Sequence, residues 1–121
     1  MKNQTYRMTM LFDFYGDILT DRQRELFDLY YNEDLSLAEI AENCGISRQG
    51  VRDVIVRAEA AMNELEDKTG LLKRFMRMQD SVDAIVAAAN EIKTINYRQY
   101  ENHRLEELAD SILESAAALK E

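Results

Sequence analysis

Three arginines and a glutamine crowd one short stretch of an acidic chain. Between Ser47 and Ala58 the bases Arg48, Arg52 and Arg57 face only Asp53, three positive charges against one negative, which leaves a local charge of +2. If this stretch is a helix with Val51 turned inward, its outer face centres on Gln49, Arg52, Asp53 and Val56, flanked by Arg48 and Arg57. Those side chains match the chemistry of a DNA major groove. Arg52 would address guanine, Gln49 adenine and Val56 a thymine methyl, while Arg48, Arg57 and the Ser47 hydroxyl would reach phosphates. The competing reading is an ordinary solvated helix face.

Other reactive residue types form no comparable set. The carboxylate pairs Glu106-Glu107 and Asp80 with Asp83 have the residue types for a divalent metal or for acid–base chemistry, but on amphipathic helices such pairs are solvated surface. One cysteine, Cys44, and one histidine, His103, cannot supply the Cys/His cage of structural zinc, and a lone cysteine excludes an internal disulfide. No glycine-rich phosphate loop or nucleophile elbow is present. The expectation is a protein with no enzyme activity, no cofactor and no metal. Met8, Met10, Met62, Met76 and Met78 read as core filling before they read as an adaptable groove, and Cys44 as a small buried hydrophobe. Tyr30, Tyr31, Tyr97 and Tyr100 read as core or interface in preference to a stacking platform for RNA bases.

Positioning the arginines requires helices. Leu11, Phe14, Tyr15, Ile18 and Leu19 share one face of a first helix beginning near Tyr6. Thr20 with Gln23 forms a capping box that opens a second helix, with Leu26, Phe27, Leu29, Tyr30 and Tyr31 as its apolar set. Ser36 with Glu39 forms another and opens a short helix that stops at Asn43-Cys44-Gly45. Ser47 then caps a longer helix, whose buried row is predicted to be Val51, Val54, Ile55, Ala58, Met62 and Leu65, ending near Thr69-Gly70. Ala41 as the small contact residue, Gly45 in the turn, and Ile40, Ile46, Val51 and Val54 as the apolar lock meet the requirements of a helix-turn-helix. Gly50, inside the longer helix, either permits close approach to a backbone or has no such role.

Beyond Gly70 the pattern becomes a heptad, Leu71, Phe75, Met78, Val82, Ile85, Ala89 and Ile92, widened on one flank by Leu72, Met76 and Val86. A break is predicted around Thr94-Ile95-Asn96, with Asn96 as cap and Gln99 completing a box. Leu105, Leu108, Ile112, Ser115 and Leu119 then repeat the spacing, so the two helices read as an antiparallel hairpin. The organisation expected is a helix-turn-helix domain over residues 1–70 and a helical hairpin over 71–121 that packs within the chain or joins two chains.

Composition agrees with an all-α fold. The chain has 121 residues, 46 % of them apolar, four glycines and no proline. The net charge is −8, from 15 Lys+Arg against 23 Asp+Glu, which repels a phosphate backbone at long range. No apolar run approaches the roughly 20 residues that span a bilayer, and the start lacks a signal-peptide core, so a cytoplasmic protein without membrane insertion is expected.

Leu19-Thr20-Asp21-Arg22-Gln23-Arg24-Glu25, Leu35 to Glu42 and Gly45-Ile46-Ser47-Arg48-Gln49-Gly50-Val51 resemble region 4 of bacterial sigma factors. With Leu11 to Gly16 and Glu66 to Leu71, the chain as a whole resembles the YlxM family of small Gram-positive proteins, less closely after Ile92. The resemblance implies a sigma-region-4-like fold and, because the family's genes lie beside those of the signal recognition particle, a regulator or accessory factor of protein targeting. The chain departs from a sigma factor in having no promoter-melting region and in adding the hairpin. Two readings follow: a DNA-binding regulator, a homodimer through its heptad helices with Ser47, Arg48, Gln49, Arg52, Val56 and Arg57 at the DNA, or an adaptor that meets protein or RNA of the signal recognition particle without reading DNA.

Overall fold

Side-chain caps decide where the helices of this chain begin. The computed structural model describes residues 5–120, and all regular structure among them is helical. Helix α1 spans Thr5–Tyr15 and runs into a 3₁₀ turn, Gly16–Ile18. Thr20 opens α2, Asp21–Tyr31, as a complete capping box: its hydroxyl accepts from the Gln23 N–H at 3.1 Å and its own N–H donates to Gln23 Oε1 at 3.0 Å. Ser36 and Glu39 repeat the box at the start of α3, Leu37–Cys44. Each such cap stabilises its helix by about 1 kcal/mol. Ser47 caps α4, Arg48–Thr69, which gives way at Gly70 to α5, Leu71–Ile95. A π turn, Asn96–Tyr100, and α6, His103–Leu119, follow. The segment read for a signal-peptide core begins with residues 1–4, which lie outside the described residues.

The chain divides after Leu72 into two compact units. In the first, Leu11, Leu26, Phe27, Ile40, Val51, Ile55, Ala58 and Met62 from α1 to α4 are fully buried in one core. Phe27 stacks on Phe12 with centroids 4.7 Å apart and tilts against Tyr31 at 4.5 Å. Burying a large aliphatic or aromatic side chain of this kind stabilises the fold by about 1.5–3 kcal/mol, which is why propensity alone need not hold helices as short as α3. Two of the residues assigned to the first helix's apolar face, Phe14 and Ile18, are exposed; Met8, Leu11, Tyr15 and Leu19 form the face instead. The chain leaves α-helical geometry at Gly16, which turns Ile18 outward.

The buried row of α4 also departs from its prediction. Val51, Ile55, Ala58 and Met62 are buried as expected, but the next buried position is Glu66, with Leu65 and Val54 half-buried. Glu66 Oε1 accepts from the Tyr15 hydroxyl at 2.7 Å and from the Leu72 N–H at 2.9 Å. Because the single Tyr15 proton goes to Glu66, the Thr69 hydroxyl, 2.6 Å away, donates to the phenolic oxygen. A helix-periodic row therefore ends in a carboxylate, whose burial is offset by these bonds.

In the second unit α5 and α6 run antiparallel. Lys93 meets Asp110 at 2.6 Å and Glu106 at 3.2 Å, and Lys120 pairs with Asp83, so ion pairs fix the register at opposite ends of α6. Asp110 and then Glu106 hold the Lys93 ammonium above the ordinary lysine range. The turn is built differently from its prediction. Asn96 is buried, its amide donating to the Asn102 carbonyl at 2.8 Å and accepting from the Asn102 N–H at 2.8 Å. A side chain spent across the turn cannot cap a helix, so the helix runs past Thr94-Ile95 into the π turn, and Asn102 caps α6 through the Leu105 N–H at 3.0 Å.

The predicted heptad seam is only half used. Of its α5 residues Val82 and Ala89 are buried, but on α6 all five predicted residues, Leu105, Leu108, Ile112, Ser115 and Leu119, are exposed and Ala109 and Ala116 are buried instead. Met78, Ile85 and Ile92, and on α6 Leu105, Leu108, Ile112 and Leu119, remain 39–53 % exposed. Two paired helices cover one strip of each other, so the rest of a wide apolar stripe stays outside. For the same reason Met76 and Met78 do not fill a core, whereas Met8 and Met62 do. Ile85 shares a shallow groove with Ile112, Ser115 and Leu119, which puts these residues of α5 and α6 on one face of the hairpin. Among the described residues no helix is long and apolar enough to cross a membrane.

Candidate nucleic-acid interface

The geometry of α3 and α4 rests on three positions. Ala41, buried in the middle of α3, accepts through its carbonyl from the Gly45 N–H and from the Ile46 N–H at 3.2 Å. Gly45 leaves the helix at φ 68°, a left-handed conformation that costs a residue with a Cβ about 1–2 kcal/mol. Val51, one turn into α4, is fully buried and locks the second helix onto the first. This is a helix-turn-helix, and it fixes which side of α4 faces out.

Ser47, Arg48, Gln49, Arg52, Val56 and Arg57, the six predicted contact residues, are all exposed, as is Asp53. Arg48, Gln49 and Arg52 line a cleft of about 330 Å³ with Leu37 of α3. Among the described residues none of Arg48, Arg52 and Arg57 forms an ion pair, although Asp53 lies among them in sequence. Asp53 is held instead by Gln49, whose Nε2 donates to Asp53 Oδ1 at 2.9 Å. One amide N–H of Gln49 is thereby committed within the helix. The first turn of α4 holds no acidic residue, whereas those of α2, α3 and α6 hold Asp21, Glu39 and Glu106. The positive end of the α4 dipole is thus left without a carboxylate.

Ser47 and Gly50 are coupled. Ser47 Oγ accepts from the Gly50 N–H at 2.9 Å and keeps its own proton for donation. A Cβ on residue 50 would lie 3.1 Å from that oxygen, so within the protein the close approach at Gly50 is to the capping side chain. Cys44 is half-buried. His103 Nε2 lies 2.8 Å from Glu107, and no group of three His, Cys, Asp or Glu among the described residues is placed to hold a metal ion.

Tyr97 and Tyr100 are not core. They are 79 % and 64 % exposed on the π turn with Arg98 between them, and the turn that displays them depends on Asn96, whose burial no spacing pattern announces. The Gln49–Asp53 bond, by contrast, has a local signal, because residues four apart on a helix are neighbours.

A family of helix-turn-helix proteins, UPF0122, described as "Putative helix-turn-helix protein, YlxM / p13 like", matches residues 2–103. The chain belongs to this family. A UPF0122 protein of Acetivibrio thermocellus is 40 % identical over 119 residues, 93 % of this chain and 99 % of the relative. One from Thermoanaerobacter sp. is 51 % identical over 78 residues, 64 % of this chain and 67 % of the relative, and one from Bacillus thuringiensis 46 % over 96 residues, 79 % and 87 %. The family match includes all of α1 to α5 and the π turn, and ends at the first residue of α6.

Proposed function

We propose that this protein is a non-enzymatic regulator that binds duplex DNA through the outer face of α4. The observation that carries the reading is the set Arg48, Arg52 and Arg57, exposed and free of ion pairs among the described residues, on the second helix of a helix-turn-helix in a chain of net charge −8. In an acidic protein, cations left unpaired on one face are available to an anionic partner, and a helix presented in this way fits a major groove. Arg48 and Arg57 with Ser47 contact phosphates, and Arg52, Gln49 and Val56 meet base edges. A homodimer joined through the hairpins supplies a second reading helix and offsets the long-range repulsion. The test is duplex binding measured from low salt upward. Removing one phosphate-binding side chain should lower the steepness of the log–log salt dependence by about 0.9, so Arg48→Ala with Arg57→Ala should flatten it by about two. Failure of the unmutated protein to retain any duplex at low salt would overturn the reading.

A second reading is an adaptor of the signal recognition particle, in accord with the YlxM resemblance. The exposed apolar face of Ile85, Ile112 and Leu119 favours it, because such a face suits a protein partner. Retention of particle components by the immobilised protein, with no enrichment of DNA, would decide for it.

A further inference from the structure

Asp53 is the one acidic residue between Ser47 and Ala58, and it is exposed among Arg48, Arg52 and Arg57 of the same helix. For an i,i+4 pair on a helix the electrostatically favoured partner of Asp53 is Arg57, yet Asp53 is bonded by the neutral Gln49, and Arg57 has no ion pair among the described residues. The consequence is a fixed pattern of hydrogen-bonding groups. Gln49 can donate to the carboxylate only through its amide nitrogen, so its orientation is settled by chemistry. The bond from Gln49 uses Oδ1, so Asp53 keeps Oδ2 as an acceptor on an exposed residue, next in sequence to the exposed donors of Arg52.

In the major groove a G·C pair presents two acceptors, guanine N7 and O6, followed by one donor, cytosine N4–H. The Arg52 fork supplies the donors and Asp53 the acceptor. An adenine also offers an N–H, but beside its N7 acceptor, which repels a carboxylate, and thymine offers only an acceptor and a methyl group. A carboxylate held toward the groove also repels phosphates, so it weakens sequence-independent binding. Resting on the proposed DNA-binding reading, we infer that Asp53, positioned by Gln49, is a specificity-determining residue that selects cytosine in a G·C pair whose guanine is read by Arg52.

The experiment is selection from a pool of random duplexes by the full chain, unmutated and as Arg52→Ala, Asp53→Asn and Gln49→Ala, with circular dichroism melts to confirm that each variant folds. The unmutated protein should enrich a site with one G·C pair at which cytosine is preferred by roughly 5- to 150-fold, the range of a good base contact. Because pairing makes the guanine and cytosine preferences at that position one quantity, Asp53→Asn and Arg52→Ala should each weaken the preference for that one G·C pair. Asp53→Asn should do so while retaining or raising affinity for random duplex, and Gln49→Ala should weaken the preference less than Asp53→Asn. An unchanged cytosine preference in Asp53→Asn, or DNA bound with no base preference, overturns this inference and leaves DNA binding intact. No duplex bound by the unmutated protein overturns both.

Discussion

The Tyr15 hydroxyl and Glu66, 51 residues apart in sequence, share a buried hydrogen bond of 2.7 Å. It ties the end of α1 to the last turns of α4, and the same carboxylate oxygen receives the Leu72 N–H at 2.9 Å, so one side chain satisfies donors from two other segments. Removing it by Glu66→Ala leaves two buried donors without this acceptor, each at a cost of about 1–3 kcal/mol. The expected result in a urea melt is a destabilisation of about 2–4 kcal/mol, against a smaller one for Glu66→Gln, which keeps an accepting oxygen. Equal effects in the two variants would contradict this role for Glu66.

Tyr15 and Tyr31 should ionise late. Burial raises both phenols above the ordinary 10.0, and the carboxylates of Glu66 and Glu59 that accept from them add to the shift, against a lowering of Tyr15 by Thr69. The raised folded values mean that this contribution to stability is complete below pH 10 and is lost as pH climbs through them, because the unfolded chain then releases protons that the native state retains. Tyrosinate absorbance in an alkaline titration should show two delayed phenols, and Tyr31→Phe should make the decline of stability above pH 10 shallower.

Gly45→Ala should destabilise the first unit by about 1–2 kcal/mol, since φ is 68° there and no neighbouring atom lies within 4 Å of an added Cβ. Conformation, not crowding, sets the cost. Gly45→Asn should therefore lose less despite its larger side chain, because asparagine tolerates the left-handed region. Thermal melts of the two variants would distinguish this from a steric effect, which would reverse their order.

The hairpin's outer face should carry self-association. Placing charges on it with Ile112→Glu and Leu119→Glu leaves the buried Val82, Ala89, Ala109 and Ala116 untouched. Sedimentation should then give a dimer for the unmutated chain and a folded monomer for the double variant. A monomer in both cases would remove the second reading helix from the proposed mode of binding.

Local chemistry made much of this protein legible from residue types alone. Thr20 with Gln23, Ser36 with Glu39, and Ser47 each announced a helix start, because a cap is a bond between residues within three positions of one another. Ala41, Gly45 and Val51 likewise specified the helix-turn-helix and the outward side of α4, since each acts through conformation or size over a single turn. Tertiary structure decided what depends on distant partners. Glu66 is buried because Tyr15 and the Leu72 N–H reach it, and Asn96 is buried because Asn102 comes back to it across the turn. The heptad marked a broad apolar stripe, but only the pairing of α5 with α6 selected which strip is buried, that of Val82, Ala89, Ala109 and Ala116, and left Ile85, Ile112 and Leu119 outside. A period gives the direction of a side chain around its own helix; what lies in that direction is fixed by another part of the chain.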